Sequence, residues 1–148
     1  LKDIKKLLVH HNNISLDSCV FIYHFEGSGK YNRLTFDLFK SIENGSTIVN
    51  CSTLVLSEVL VLPYKLGKYD AAKEYEFLIK TFPNVNLNPV SSDIAARSAI
   101  IRSKYNLPAP DSIHLANALT SGCSLFITND SKLKKIDEIK VICLEELI

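Results

Sequence analysis

Four acidic side chains stand where they could do chemistry together: Asp17, Glu58, Asp111 and Asp130. Asp17 closes the apolar run Ile14-Ser15-Leu16, and Asp130 closes Leu125-Phe126-Ile127-Thr128-Asn129. Asp111 follows Pro108-Ala109-Pro110 and opens a helical pattern. Glu58 lies about a turn and a half into the apolar helix that follows residues 47–52. In an open α/β sheet the carboxyl ends of the strands form one crevice, and ligands bind there. Carboxylates gathered in such a crevice repel one another and resist desolvation unless a cation is present. The chemistry this points to is an oxygen-ligand site for a hard divalent cation, Mg²⁺ or Mn²⁺.

Taken singly, each acid has a plainer use. Asp17, Asp111 and Asp130 could each cap a helix. Glu58, inside the run from Leu54 to Leu62, could mark a narrow exposed stripe. Their common placement at one edge of one sheet is what argues for a site. Beside them, Ser18, Thr128 and Asn129 are supporting candidates, with Thr128 able to orient a carboxylate and turn chemistry as the alternative. His114, three residues past Asp111, reads as helix packing, or else as a substrate contact. Asp93 reads as a first-turn acid. Lys132, Lys134, Lys135, Arg97 and Arg102 read as solvated helix faces, with phosphate contacts as the alternative. The cysteines Cys19, Cys51, Cys123 and Cys143 form no Cys-x-x-Cys pair and show no zinc-type spacing with the histidines. They read as reduced, packed thiols of a cytoplasmic protein. Gly27-Ser28-Gly29 lacks the dinucleotide-binding spacing, and no Walker A sequence occurs, so nucleotide-triphosphate chemistry is not indicated.

The elements that must position these residues alternate between strand-like and helix-like segments. That alternation predicts a parallel sheet flanked by helices, an α/β fold. Residues 2–11 place Ile4, Leu7, Leu8 and His11 on one helical face. Strands are expected at 14–17, 47–51, 85–90, 125–128 and 141–144. Helices are expected at 19–25, 31–43, 53–66, 70–82, 92–105 and 111–121, with a short one near 132–136. Pro63 should kink or break the helix that carries Glu58. Gly122 should close the helix that carries Asp111, and Ser91 or Ser92 should cap the one before it.

The chain of 148 residues suits one domain, residues 1–148, in which 1–13 form a short helical extension ahead of the first strand. Hydrophobic residues are 47% and charged residues 22%, an ordinary globular balance. No apolar run approaches the ~18 residues of a spanning helix, so no membrane partner is expected. The net charge of +1 means that any basic footprint for a polyanion must be local.

Four segments carry a family resemblance. They are Ser15-Leu16-Asp17-Ser18 before an apolar helix, Ser57-Glu58, Pro110-Asp111-Ser112-Ile113-His114-Leu115-Ala116, and Phe126-Ile127-Thr128-Asn129-Asp130, in that order. The set resembles the PIN-domain nucleases, and most closely the VapC-like toxins of toxin–antitoxin pairs, over roughly residues 14–144. The resemblance implies a three-layer PIN fold with a mostly parallel sheet of four to five strands. It implies a Mg²⁺- or Mn²⁺-dependent endoribonuclease with Asp17, Glu58, Asp111 and Asp130 as its acidic cluster. It also implies an RNA substrate, an antitoxin partner and a homodimer. Ser18 stands where the family often has Thr, so a hydroxyl is kept. Two other readings stand beside it: a catalytically silent PIN-like assembly module, and a metal-dependent phosphatase on a Rossmann-like fold. The phosphatase reading lacks the usual Asp-x-Asp, since Asp17 is followed by Ser18-Cys19.

Overall fold

The computed structural model describes residues 3–148. The chain runs through α1 (Ile4–Val9), β1 (Asn13–Leu16), α2 (Ser18–Glu26), α3 (Asn32–Glu43), β2 (Ile48–Ser52), α4 (Leu54–Lys65) and α5 (Tyr69–Thr81). It continues through β3 (Val85–Asn88), α6 (Ser92–Tyr105), α7 (Ala109–Thr120), β4 (Leu125–Thr128) and β5 (Lys140–Cys143), with 3₁₀ turns at Ser131–Lys135 and Leu144–Leu147. The expected first helix began at Lys2, which lies outside the described residues. Its described part starts at Ile4, where Asp3 caps it by accepting from the Lys5 amide at 2.9 Å. His11 lies beyond that helix and instead meets Ser124 Oγ at 2.8 Å.

The five strands form one parallel sheet in the order β3-β2-β1-β4-β5. The chain builds outward from β1 to β3 and then returns to the other side of β1 for β4. This reversal makes the junction of β1 and β4 the topological switch point, where such sheets open a crevice at their carboxyl ends. The register there pairs Ile14 with Leu125 and Leu16 with Ile127.

Strand residues alternate between two apolar layers, as a period of two requires. Ile14, Leu16, Val49, Leu125 and Ile127 pack with Val20, Leu38, Phe39 and Val55 on one side. Phe126 and Val141 pack with Ile94, Ile101, Leu115 and Leu133 on the other. The second face changes character under β1, β2 and β3, where amides replace aliphatics. Asn50 donates to Asn13 Oδ1 at 2.8 Å, Asn86 to Asn50 Oδ1 at 3.3 Å, and Asn88 to Asn117 Oδ1 of α7 at 3.1 Å. A one-residue slip of any of these strands would strand the amides in an apolar layer, so the ladder fixes register and the seat of α7 together.

Several boundaries depart from the expected ones for identifiable reasons. Pro63 does not break α4, which continues to Lys65. The proline lies in the last turn, and Leu66 N–H still reaches Leu62 O at 3.0 Å beyond it. β3 stops at Asn88 instead of continuing to residue 90, because Pro89 has no N–H for the ladder. α7 starts at Ala109, with Pro110 accommodated in its first turn. Asp111 is therefore a first-turn acid and not the cap. The helix near 132–136 is a 3₁₀ turn at Ser131–Lys135.

Candidate functional site

Asp17 leaves the end of β1 and caps α2. Its backbone N–H donates to Ile127 O of β4 at 2.9 Å, which pins it to the switch point. One carboxylate oxygen accepts from the Ser18 amide at 2.8 Å, with the Ser18 hydroxyl at 3.4 Å. The other accepts from the Thr128 hydroxyl at 2.7 Å. Asp17 is 8% exposed. Its orientation is thus set by two neighbouring strand ends.

Asp130 follows β4 and caps the 3₁₀ turn, accepting from the Lys132 amide at 3.0 Å. Its own N–H donates to Thr128 Oγ1 at 3.1 Å. The fully buried Thr128 hydroxyl therefore donates to one acid and accepts from the backbone of another. Asn129, between them in sequence, is engaged elsewhere. Its amide donates to the Tyr31 hydroxyl at 3.0 Å and its carbonyl accepts from the Glu145 N–H at 3.3 Å. That ties the end of β4 to the start of α3 and to the carboxyl-terminal 3₁₀ turn.

Asp111 comes from the first turn of α7, and Glu58 from the interior of α4. Burial raises the Asp111 carboxyl above its ordinary range, and the charges of Asp17, Asp130 and Glu58 push it the same way, with His114 opposing. Asp111 thus feels the charges of Asp17, Asp130 and Glu58. Glu58 also accepts a hydrogen bond from His114 Nε2. Among the described residues, ligand atoms of Asp17, Glu58 and His114 lie within 4.8 Å of one another, while Asp111 and Asp130 stand outside that tighter set.

By its sequence, His114 reads as helix packing or as a substrate contact. The structure buries it at 2% exposure and gives its polar edge to Glu58, 56 residues away. The available signal was its spacing from Asp111, because residues three apart share a helix face.

The donor set suits a hard divalent cation. Among the described residues, no lysine or arginine pairs with Asp17, Asp111 or Asp130. The acids thus repel one another with His114 as the basic group beside them and no lysine or arginine paired to the aspartates, a repulsion that a cation would relieve. Carboxylate oxygens match Mg²⁺ and Mn²⁺, and a nearby imidazole is compatible with Mn²⁺. Cysteine chemistry is not competitive here. Burial, then the charge of Asp17, push the Cys19 thiol up to about 12, far from a reactive thiolate.

Two of the basic candidates are engaged with other groups. Lys134 pairs with Glu146 at 2.7 Å, and Arg97 donates to Thr120 Oγ1 at 3.2 Å on an exposed face. Asp93 is exposed in the first turn of α6.

The sequence matches the PIN domain family over residues 14–139. No curated protein matches it. Among solved structures, it is similar to VapBC2 from Rickettsia felis bound to a promoter DNA fragment, at 13% identity and TM-score 0.71 over 88% of this chain and 98% of that one. It is similar to a toxin–antitoxin complex from Klebsiella pneumoniae, at 23% identity and TM-score 0.67 over 88% and 97%. It is also similar to VapC20 of Mycobacterium tuberculosis, a sarcin-ricin loop cleaving toxin, at 16% identity and TM-score 0.67 over 86% and 98%. At these identities the structural likeness speaks to fold.

Proposed function

The chain belongs to the PIN domain family, and from that premise we propose that it is a Mg²⁺- or Mn²⁺-dependent endoribonuclease, the toxin of a toxin–antitoxin pair. The observation that carries the reading is the approach of ligand atoms of Asp17, Glu58 and His114 to within 4.8 Å of one another, with no lysine or arginine paired to Asp17, Asp111 or Asp130 among the described residues. Asp17, Glu58 and Asp111 would hold the cation, with Asp130 acting directly or through water. When bound, the cation would lower the pKa of water and offset charge growing on the phosphoryl group.

The chain's own residues supply orientation. Thr128 and Ser18 hold both oxygens of Asp17 in a fixed plane. Asp130 is aimed by the turn that Thr128 and the Lys132 amide define. Such pre-organisation matters because a misplacement of about 1 Å can cost about 10²-fold in rate. The single-stranded or looped regions of a folded RNA are the natural substrate for a site at an open sheet edge, because their backbone can be splayed into it. The similar chains from Rickettsia and Klebsiella are held in toxin–antitoxin complexes, which supports an antitoxin partner for this one, and a homodimer is part of the same reading.

The test is cleavage of a structured RNA by the purified chain. Cleavage should need Mn²⁺ or Mg²⁺, stop with a chelator, and fall by at least about 10²-fold in Asp17→Asn, since the amide keeps the shape and removes the charge that holds the cation. Wild-type cleavage by Asp17→Asn would overturn the assignment.

A further inference from the structure

We infer that His114 is a positioning residue that holds Glu58 in place for the cation. This rests on the metal-site reading above and adds a residue to it. Glu58 stands apart from its fellow acids in how it must be held. Asp17 is fixed by a backbone amide and the Thr128 hydroxyl, and Asp130 by its turn. Glu58 has a longer side chain, is 31% exposed, and must approach Asp17 against like charge. Unheld, it would swing toward water. The Nε2–H of His114 donates to its Oε1 and commits that oxygen, leaving Oε2 for a cation.

The ring can do this because it is itself buried on an anchored helix. His114 is 2% exposed on α7, the helix whose Asn117 is hydrogen-bonded to Asn88 and to the Asn50 carbonyl. Asp111 lies three residues earlier on the same helix face. One rigid helix therefore delivers an acid to the site and also steers the acid delivered by α4. A direct ligand role is the weaker alternative. To bind a cation, Nε2 would have to give up Glu58, and hard cations prefer oxygen. Simple packing is weaker too, because an aliphatic side chain fills a buried site without needing a polar partner.

The experiment measures Mn²⁺ affinity by titration calorimetry without RNA, alongside RNA cleavage, in His114→Leu, His114→Gln, Glu58→Gln and the two double variants. Outer-shell partners of metal ligands are typically worth about 10–100-fold in affinity or activity. His114→Leu should therefore weaken Mn²⁺ binding at least tenfold. His114→Gln, which keeps an N–H near the same place, should recover most of it. In the Glu58→Gln background neither change at His114 should lower affinity further, because the group it acts through is gone.

Unchanged Mn²⁺ affinity in His114→Leu would overturn the inference, as would a loss of equal size in the Glu58→Gln background. Equal loss in His114→Gln and His114→Leu, together with a lost preference for Mn²⁺ over Mg²⁺, would make the imidazole a ligand instead. If the leucine variant does not fold, His114→Asn, which is polar but too short to reach Glu58, takes its place in the same comparison, with the same outcomes deciding. A wild-type chain that neither binds Mn²⁺ nor cleaves RNA would remove the metal reading and this inference with it. A wild type that does both, beside His114 variants that match it, would remove the inference alone.

Discussion

At the scale of single residues, the site shows how one hydroxyl and one charge set opposing demands. Asp111 has its carboxyl raised by burial and by three neighbouring acids. A raised value in the folded state means that folding favours the neutral acid, so its contribution is fullest below the ordinary value of 3.8 and is lost as pH rises through the folded value. Asp111→Asn removes that penalty. In chelator at pH 7 the variant should melt higher than wild type, and the difference should vanish as pH falls below the ordinary range. Added Mn²⁺ should reverse the order. A lower melting point for Asp111→Asn in chelator would instead mark Asp111 as a first-turn acid that stabilises its helix. Thr128 carries the opposite demand, since its hydroxyl is already satisfied twice. Thr128→Val keeps the shape, breaks the bond to Asp17 and leaves the Asp130 N–H unpaired. Urea unfolding should show a loss of about 1–3 kcal/mol, with Thr128→Ser close to wild type and cleavage reduced in the valine variant.

At the scale of elements, helix ends decide where the acids point. α7 closes with a left-handed residue at Gly122, φ +71°. The Cys123 N–H bonds back to Ala118 O at 3.0 Å and the Gly122 N–H to Leu119 O at 3.2 Å, the two bonds of a Schellman turn. This turn reverses the chain directly into β4, whose far end carries Thr128 and Asp130. A Cβ built on Gly122 would meet nothing nearer than Asn13 Nδ2 at 4.0 Å, so space is not the constraint. Gly122→Ala should therefore cost about 1–2 kcal/mol by backbone strain alone, read as a lower midpoint in urea, with Mn²⁺ affinity unchanged. A large fall in affinity would mean that strain at this turn propagates along β4.

At the scale of the whole molecule, five parallel strands place the ends of β1 and β4 side by side, and α4 and α7 bring their acids over that junction. The assembled cluster exists only in the folded chain, so a cation that fits it should bind the native state and not the unfolded one. At about 100 times its dissociation constant a ligand of this kind contributes about 2.7 kcal/mol. For a chain of this size that corresponds to a rise in melting temperature of roughly 5–10 °C. Thermal scans with Mn²⁺ should show that rise in wild type and lose it in Asp17→Asn. The described helices include none long and apolar enough to cross a membrane.

The sequence by itself determined the alternation of elements, the parallel sheet and the closing of α7 at Gly122, because apolar period and turn chemistry are local signals. It also showed that Asp17 and Asp130 follow strands, since each ends an apolar run. Local signals ran out at α4, where Pro63 sits too near the helix end to break it, and at α7, where Pro110 fits a first turn and shifts the start to Ala109. Only the tertiary structure decided which polar groups meet. His114 looks like any residue of an apolar helix until α4 brings Glu58 against it, and Asn129 looks like a site residue until Tyr31 and Glu145 engage it. The asparagine ladder across β1, β2 and β3 is likewise invisible in each strand alone. Hydrophobic pattern says that a side chain is buried, but a hydrogen-bond partner is chosen by strand order and register, which join residues far apart in the chain.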